Sequence, residues 1–301
     1  MDQIHTMRIF VRVVEAGTLT RAADSLDLPK STVTKHIQAL ESRLKVKLLN
    51  RNTRRVTVTP DGAAYFERAA RLLNDFDDIE ASMTNAQKAP TGRLRIDVTS
   101  STASLIILPA LATFCDRYPD IQVDLGVSDR AIDLIADNVD CVIRGGELTD
   151  QSLVARRIGN LGFVTVASPA YLKRHGTPDH PDDIEKRHRV VSYFSGSTRR
   201  VYPHEFIRGD ERIEHPGNYR VSVNEGNAQM AAVLSGFGIS QCLAFVAEPL
   251  IESGQLVRVL PEWTRPPIPV HVVYPPNRHL SAKVRAFVDW TVDLFANNPK
   301  L

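Results

Sequence analysis

Cysteine is scarce in this sequence. The three cysteines, Cys115, Cys141 and Cys242, lie far apart in apolar surroundings, with no CxxC pair. That excludes a disulfide framework and suggests buried, reduced core residues in a cytoplasmic chain. Long apolar runs are also missing, so no stretch reads as a membrane-spanning helix and no membrane partner is expected. The opening MDQIHTMRIF lacks the basic start and apolar core of a signal peptide. Catalytic signatures are absent as well. There is no GxGxxG after a strand and no P-loop. The nine histidines include no HExxH. His175, His180, His188, His204 and His215 form no metal-ligand grouping with cysteines, and are expected as solvated or hydrogen-bonded surface residues. Gly238-Ile239-Ser240-Gln241-Cys242 begins like a nucleophile elbow but ends in cysteine where glycine is needed. An enzyme, a metal site and a resident cofactor are therefore not expected.

What is present is an uneven charge. The chain as a whole carries only +2, yet residues 1–60 hold eleven cations and five acids. From Leu28 to Arg55 the cations are Lys30, Lys35, Arg43, Lys45, Lys47, Arg51, Arg54 and Arg55, against the single acid Glu41. Such a local excess is the footprint of phosphate binding, so only the front of the chain is built for nucleic acid. With 301 residues, 43% hydrophobic and 24% charged, the chain suits two or three globular domains.

The basic front surrounds two short helical patterns. In the first, Thr18 is a plausible cap and Ala22, Ala23 and Leu26 share a face over Thr20 to Leu26. Asp27-Leu28-Pro29 then breaks the helix. A second helix starts near Ser31 and runs to about Leu44, with Val33, Ile37, Leu40 and Leu44 on its buried stripe. Thr32, Thr34, Lys35 and Gln38 point elsewhere. On the hairpin alone this reads either as a helix-turn-helix, whose second helix would enter the major groove by its first turns, or as an ordinary helical hairpin with a solvated basic face. Ahead of it, Ile4, Met7, Phe10, Val11 and Val14 form an apolar helical stripe. Behind it, Thr53 to Thr59 alternates like a strand and fits a β-wing along a DNA backbone. Thr59-Pro60-Asp61 opens a long helix running to about Gln87. Its apolar positions Tyr65, Ala69, Leu72, Phe76, Ile79, Met83 and Ala86 keep a heptad spacing, which suits a long helix packed on its own domain but, with the other face polar, points rather to a coiled-coil-like dimer. Arg68, Arg71, Asp75 and Asp78 mark the polar face. Lys88 to Gly92 forms a hinge.

With this order of helix, GTLTRAADSLDLPKSTVTKHIQALESRLKVKLLNR segment, wing and TPDG helix start, the first 90 residues resemble the LysR-type transcriptional regulators. The resemblance implies a DNA-facing set of Thr18, Arg21, Lys30, Ser31, Thr32, Thr34, Lys35, Gln38, Arg51, Arg54 and Arg55. Lys30 departs from the glutamine the family often carries there. Lysine favours guanine edges or phosphate, whereas glutamine suits adenine.

From Arg93 the period changes to strands alternating with helices, which implies a mixed or mainly parallel α/β sheet. Leu94 to Val98 is a strand. Ser100 to Thr102 can cap a helix through Leu105, Ile106, Leu108, Leu111 and Phe114. Ile121 to Val127 is a strand, Ala131 to Asp137 a helix and Asp140 to Ile143 a strand. Phe163 to Ala167 leads into a second lobe. That lobe contains Pro169 to His175, Val190 to Tyr193, Arg220 to Val223, the helix Gly226 to Ser235, and Ile251 to Leu260. Val270 to Tyr274 and the helix Ser281 to Phe295 return to the first lobe. SDRAIDLIADNVDCVIRGG, and SGFGIS followed by GQLVRVL, are similar to landmarks of the effector domain of the same family, itself like type 2 periplasmic binding proteins.

The expected architecture is thus α/β with an N-terminal winged helix-turn-helix over 1–60. A linker (dimerisation) helix and hinge follow over 61–91. A two-lobed effector domain occupies 92–301, with lobe I at 92–162 and 268–301 and lobe II at 163–267. Ser100, Ser101 and Thr102 sit at a helix start where free amides attract an anion, although simple capping is their other role. Ser128 follows a strand end at the same crevice. Arg144 would pair either with a carboxylate ligand or with a nearby acid. Asn224 precedes a helix, and Phe237 and Ile239 would supply apolar walls. The resemblance makes this crevice the site of a small co-inducer, and the serines suggest an organic acid. The expected function is a sequence-specific DNA-binding regulator, a homodimer assembled as a dimer of dimers, with RNA polymerase as a further partner. An effector-independent repressor and a solute-binding protein are the rival readings.

Overall fold

The computed structural model describes residues 2–52, 55–83, 90–130, 132, 134, 137, 139–146, 153–276 and 280–298. The chain forms two compact units, Met1–Lys88 and Ala89–Leu301.

In the first unit, helix α1 spans Gln3–Ala16. Asp2 starts it by accepting from the Ile4 amide at 3.0 Å, and Gly17 ends it at φ +67°. Its buried side chains are Thr6, Ile9, Phe10 and Val13. The expected stripe was displaced: Phe10 is buried, but Ile4, Met7, Val11 and Val14 are only half-buried. The reason is that α1 is packed by α2 (Leu19–Ser25), α3 (Lys30–Leu44) and α4 (Pro60–Met83), so its covered arc lies between its neighbours. Thr18 caps α2, accepting from the Arg21 amide at 3.2 Å. Asp27, at φ +51°, makes the turn into α3, and the Leu28 amide returns to the Ala23 carbonyl at 3.0 Å. Val33, Ile37 and Leu40 are buried as expected, but Leu44 is exposed, because the last turn of α3 projects past the core.

The wing is an antiparallel hairpin of β1 (Leu49–Asn52) and β2 (Arg55–Val58). The sequence suggested only the second strand. Thr59 starts α4, accepting from the Gly62 amide at 3.0 Å while donating to the Lys47 carbonyl at 2.7 Å. Gly62 is required there, since a Cβ would lie 2.0 Å from the Leu48 carbonyl oxygen. The expected heptad stripe of α4 is divided. Ala69 is buried, and Tyr65 stacks edge-on against Phe10 at 5.3 Å. Phe76 lies beneath the Arg8 guanidinium, which pairs with Asp77. Leu72 and Ile79 are 46% and 60% exposed. The side chain of Met83 and the segment that includes Ala86 and Gln87 lie outside the described residues, as do the side chains of Asp75 and Asp78. The stripe divides because α1 packs along one flank of α4.

In the second unit, β3 (Gly92–Val98) runs parallel to β4 (Ile121–Val127) and β5 (Cys141–Gly145). Between β3 and β4 lie α5 (Ser100–Thr102), a π-helical turn (Ala103–Ile107) and α6 (Leu108–Arg117). The wider π turn shifts the register, so Ile106, Ile107 and Phe114 are buried while Leu105 and Leu108 are exposed. The expected helix at 131–137 lies largely outside the described residues. Next come β6 (Val154–Leu161) and β7 (Phe163–Ala167). They are followed by α7 (Pro169–His175), α8 (Pro181–Arg187) and β8 (Val190–Tyr193). A hairpin of β9 (His204–Arg208) and β10 (Glu211–His215) leads to β11 (Tyr219–Val223). Then follow α9 (Gly226–Leu234), β12 (Ser240–Leu243), α10 (Ala244–Glu252) and β13 (Val257–Arg258). Strand β14 (Ile268–Tyr274) and α11 (Ala282–Ala296) complete the unit.

Strand order defines two lobes. One sheet runs β4-β3-β5-β14-β6, with β14 antiparallel to both neighbours. Phe114 and Phe287 meet at its core with ring centroids 5.6 Å apart. The other lobe is built on β12-β7-β13 and on β11-β8, linked by a Val190–Ile239 bridge. Phe163 to Ala167 therefore does carry the chain into a second lobe. Among the described residues no helix is long and apolar enough to cross a membrane.

Two expectations need correction. Cys115 is exposed, on the outer face of α6, although Cys141 and Cys242 are buried. His188, His204 and His215 are buried rather than superficial, being covered by lobe II packing. Burial pushes His204 down to about 4, so it is neutral near pH 7.

Glu41 fixes the end of α3 to the wing. Its Oε1 accepts from the Leu48 and Leu49 amides at 3.0 and 3.2 Å, and its Oε2 from Lys47 at 3.0 Å. Burial alone would push the Glu41 carboxyl up, but Lys47 and the two amides outweigh it and hold it below the usual range. Glu41→Ala should therefore cost about 3 kcal/mol by leaving two buried amides without an acceptor. A folded pKa below the unfolded one stabilises fully above the unfolded value, and this contribution is lost as pH falls through the folded value. Urea unfolding followed by circular dichroism should show a gap between parent and variant at pH 7 that narrows on acidification below about 4.5. A gap independent of pH would disprove the role.

Candidate nucleic-acid interface and interlobe crevice

The first turns of α3 carry the polar set that the sequence marked. Lys30, Ser31, Lys35 and Gln38 are exposed, while Thr32 and Thr34 are half-buried. The Thr34 hydroxyl donates to the Lys30 carbonyl at 2.9 Å, which leaves its methyl group as the outward contact. Pro29 precedes α3, and no side chain caps the helix start there. Free amides at a helix start, next to Lys30, suit a phosphate. Arg21 is exposed on α2, whereas the Thr18 hydroxyl is engaged as a cap. The side chains of Arg51, Arg54 and Arg55 lie outside the described residues. His36 is a structural member of this helix. It meets His5 edge-on at 5.2 Å, and burial, His5 and Lys35 lower its pKa.

In the second unit, the structure brings Ser100 and Ser101 of lobe I against the start of α9 in lobe II. The side chains that meet them are Asp129, Tyr193, Glu225 and Asn227. Asp129 follows β4 and accepts at Oδ1 from the Ser100 amide at 2.9 Å. Its Oδ2 accepts from the Gly226 amide at 2.8 Å and the Tyr193 hydroxyl at 3.2 Å. Glu225 caps α9, accepting from the amides of Asn227 and Ala228 at 2.9 and 2.6 Å, and it also receives the Ser100 hydroxyl. The Ser101 hydroxyl donates to Asn227 Oδ1 at 3.1 Å. A Cβ at position 226 would lie 2.8 Å from Ser101 Oγ, so glycine permits this approach. Burial raises the Tyr193 pKa, with Asp129 and Glu225 acting the same way, so the hydroxyl stays a donor. Burial opposes the charge of Glu225, but the Ser100 hydroxyl and the two amides outweigh it and hold the carboxyl low.

The other marked residues are placed differently. Arg144 pairs with Asp97 and donates to the Ile143 carbonyl at 3.0 Å, which is its salt-bridge role. Burial raises the Asp97 carboxyl against the pull of Arg144. Ser128 accepts from the Arg130 amide at 3.1 Å within its own turn. The Asn224 carbonyl accepts from Tyr193 at 3.1 Å. Thr102 is buried, and its hydroxyl accepts from Thr99 at 2.9 Å. Phe237 is exposed in the turn after α9. Ile239 is not a crevice wall: it bridges to Val190 and is fully buried in the lobe II core. The sequence marked Ser128 and Asn224 but missed Asp129 and Glu225, each one residue further on. For Glu225 the available signal was an acid directly before a helix start; Asp129, in the turn after β4, offered none.

A model of the bacterial regulatory helix-turn-helix of the lysR family matches residues 4–63. A model of the LysR substrate binding domain matches residues 87–296. The chain belongs to the LysR family. It is 42% identical over 301 residues to an HTH-type transcriptional repressor of Pseudomonas aeruginosa, spanning 100% of this chain and 95% of that protein. It is 31% identical over 304 residues to the HTH-type transcriptional activator AaeR of Escherichia coli, spanning 100% and 96%. The solved structure of CrgA, a LysR-type regulator from Neisseria meningitidis, superposes with a TM-score of 0.63 at 31% identity, over 97% of this chain and 99% of that one.

LysR family membership makes the front unit a DNA-binding head, and its exposed side chains divide by chemistry. Lys35 is a point charge suited to phosphate, whereas Gln38 can read a base edge. Lys35→Ala should weaken binding about tenfold on every duplex, and Gln38→Ala should reduce discrimination between duplexes by about 1–3 kcal/mol. Anisotropy titrations on a parent and a shuffled duplex separate the two effects. Equal losses on both duplexes for both variants would reject the division.

Proposed function

We propose that this protein is a sequence-specific regulator of transcription whose hold on DNA is modulated by a small organic acid between the lobes of its second unit. Residues 1–60 form the reading head, 61–91 the dimerisation helix and hinge, and 92–301 the effector domain. Lobe I comprises 92–162 and 268–301, and lobe II comprises 163–267. The observation that carries the effector reading is the meeting of Ser100 and Ser101 with the start of α9 across the lobes, which gathers amide and hydroxyl donors in one crevice. The exposed Leu72 and Ile79 on α4 support a homodimer, assembled further as a dimer of dimers. RNA polymerase is the protein partner that such a regulator addresses.

A second reading has its own support. Asp129 and Glu225 already satisfy donors in the crevice, as in a repressor that needs no effector. Thermal unfolding of the full-length protein with a panel of small carboxylic acids distinguishes the two. A bound acid stabilises the fold by about 2.7 kcal/mol at a hundredfold excess over Kd, so the melting temperature rises with concentration. No shift with any acid, and DNA binding unaffected by all of them, favours the effector-independent reading. For the dimer, Leu72→Asp should place facing carboxylates in the seam. Analytical ultracentrifugation should then show a folded monomer with weakened DNA affinity. A folded variant that sediments like the parent would remove α4 from the interface.

A further inference from the structure

The crevice is not simply a set of donors waiting for an acid. Every bond described above for Asp129 Oδ2 comes from lobe II, namely from the Gly226 amide and the Tyr193 hydroxyl, while its Oδ1 stays with the Ser100 amide of lobe I. The Ser100 hydroxyl, also on lobe I, lies 3.2 Å from the same Oδ1 and donates to Glu225 of lobe II. Asp129 itself belongs to lobe I, directly after β4. One half-buried carboxylate therefore receives donors from both sides of the crevice. A charged acceptor makes stronger hydrogen bonds than a neutral one, and these bonds require the lobes to be together.

We propose that Asp129 is a latch: its carboxylate joins the two lobes, and an anionic effector acts by displacing it from the Gly226 amide and the Tyr193 hydroxyl. This deepens the effector reading and rests on it for the displacement step. Its regulatory consequence differs from ligand-driven closure, because the chain's own carboxylate already makes the closing bonds. An incoming carboxylate exchanges one acceptor for another, and Asp129 is released from lobe II.

Chemical rescue with acetate tests the latch in the full-length protein. In Asp129→Ala the carboxylate is gone but its donors remain, so acetate should take its place. At about 100 mM, sodium acetate should raise the melting temperature of Asp129→Ala relative to sodium chloride, through binding at least about tenfold tighter than to the parent. Asp129→Asn fills the same space and should respond no more than the parent. If Asp129→Ala does not fold unaided, its refolding yield should recover in acetate and not in chloride. The proposal is overturned if acetate affects the parent as strongly as Asp129→Ala. It is equally overturned if acetate neither stabilises that variant nor restores its folding. A panel of organic acids without effect on the parent would reject the effector reading but leave the acetate result standing as proof of the latch.

Discussion

A backbone amide withdrawn from water needs an acceptor, and in this protein carboxylates supply several of them. Glu41 receives the Leu48 and Leu49 amides and so ties the end of α3 to the wing. Asp140 receives the Arg95 amide at 2.8 Å, which holds the loop before β5 against β3. Asp129 receives amides from both lobes, and Glu225 receives two at the start of α9. The Asp140 and Asp129 bonds are charge-assisted contacts between segments brought together only by folding, whereas Glu225 caps its own helix and Glu41 reaches the strand that follows α3. The start of α3, by contrast, has no side-chain cap. An amide end left for an external anion is what a helix entering DNA requires.

The division of charge follows the same logic. The excess of cations is confined to the first unit, where α3, the segment after it and the wing region carry it. In the second unit Arg144 is committed to Asp97, and the crevice itself is rich in acids. Relatives of this chain include a repressor and an activator. The shared architecture therefore does not dictate the sign of regulation.

Much of the architecture was legible because it depends on local chemistry. Thr18 and Thr59 act as helix caps where the sequence placed them, and Asp27-Leu28-Pro29 makes the turn. Val33, Ile37 and Leu40 are buried at helical spacing. What failed depended on neighbours. The α1 stripe moved because three helices pack around it, and the α4 heptad divided because α1 covers part of it. Leu105 and Leu108 turned outward because a π turn changes the helical period, which no apolar spacing announces. The crevice was found through its serines, yet its acids were not: Glu225 reads equally well as a local cap, and Asp129 stands in a turn after a strand. Only the fold shows that Asp129 reaches a helix 97 residues away.

The most direct measurement of the whole account is the salt dependence of DNA binding by the intact protein. A labelled duplex from the region upstream of its own gene would be titrated at ionic strengths from about 50 to 200 mM. If the front unit holds DNA through phosphate-directed cations, log affinity should fall linearly with log salt, with a slope of about −0.9 for each phosphate neutralised and a total of several. Affinity that stays constant across this range, or no binding at its low end, would contradict a DNA-binding role for the basic head.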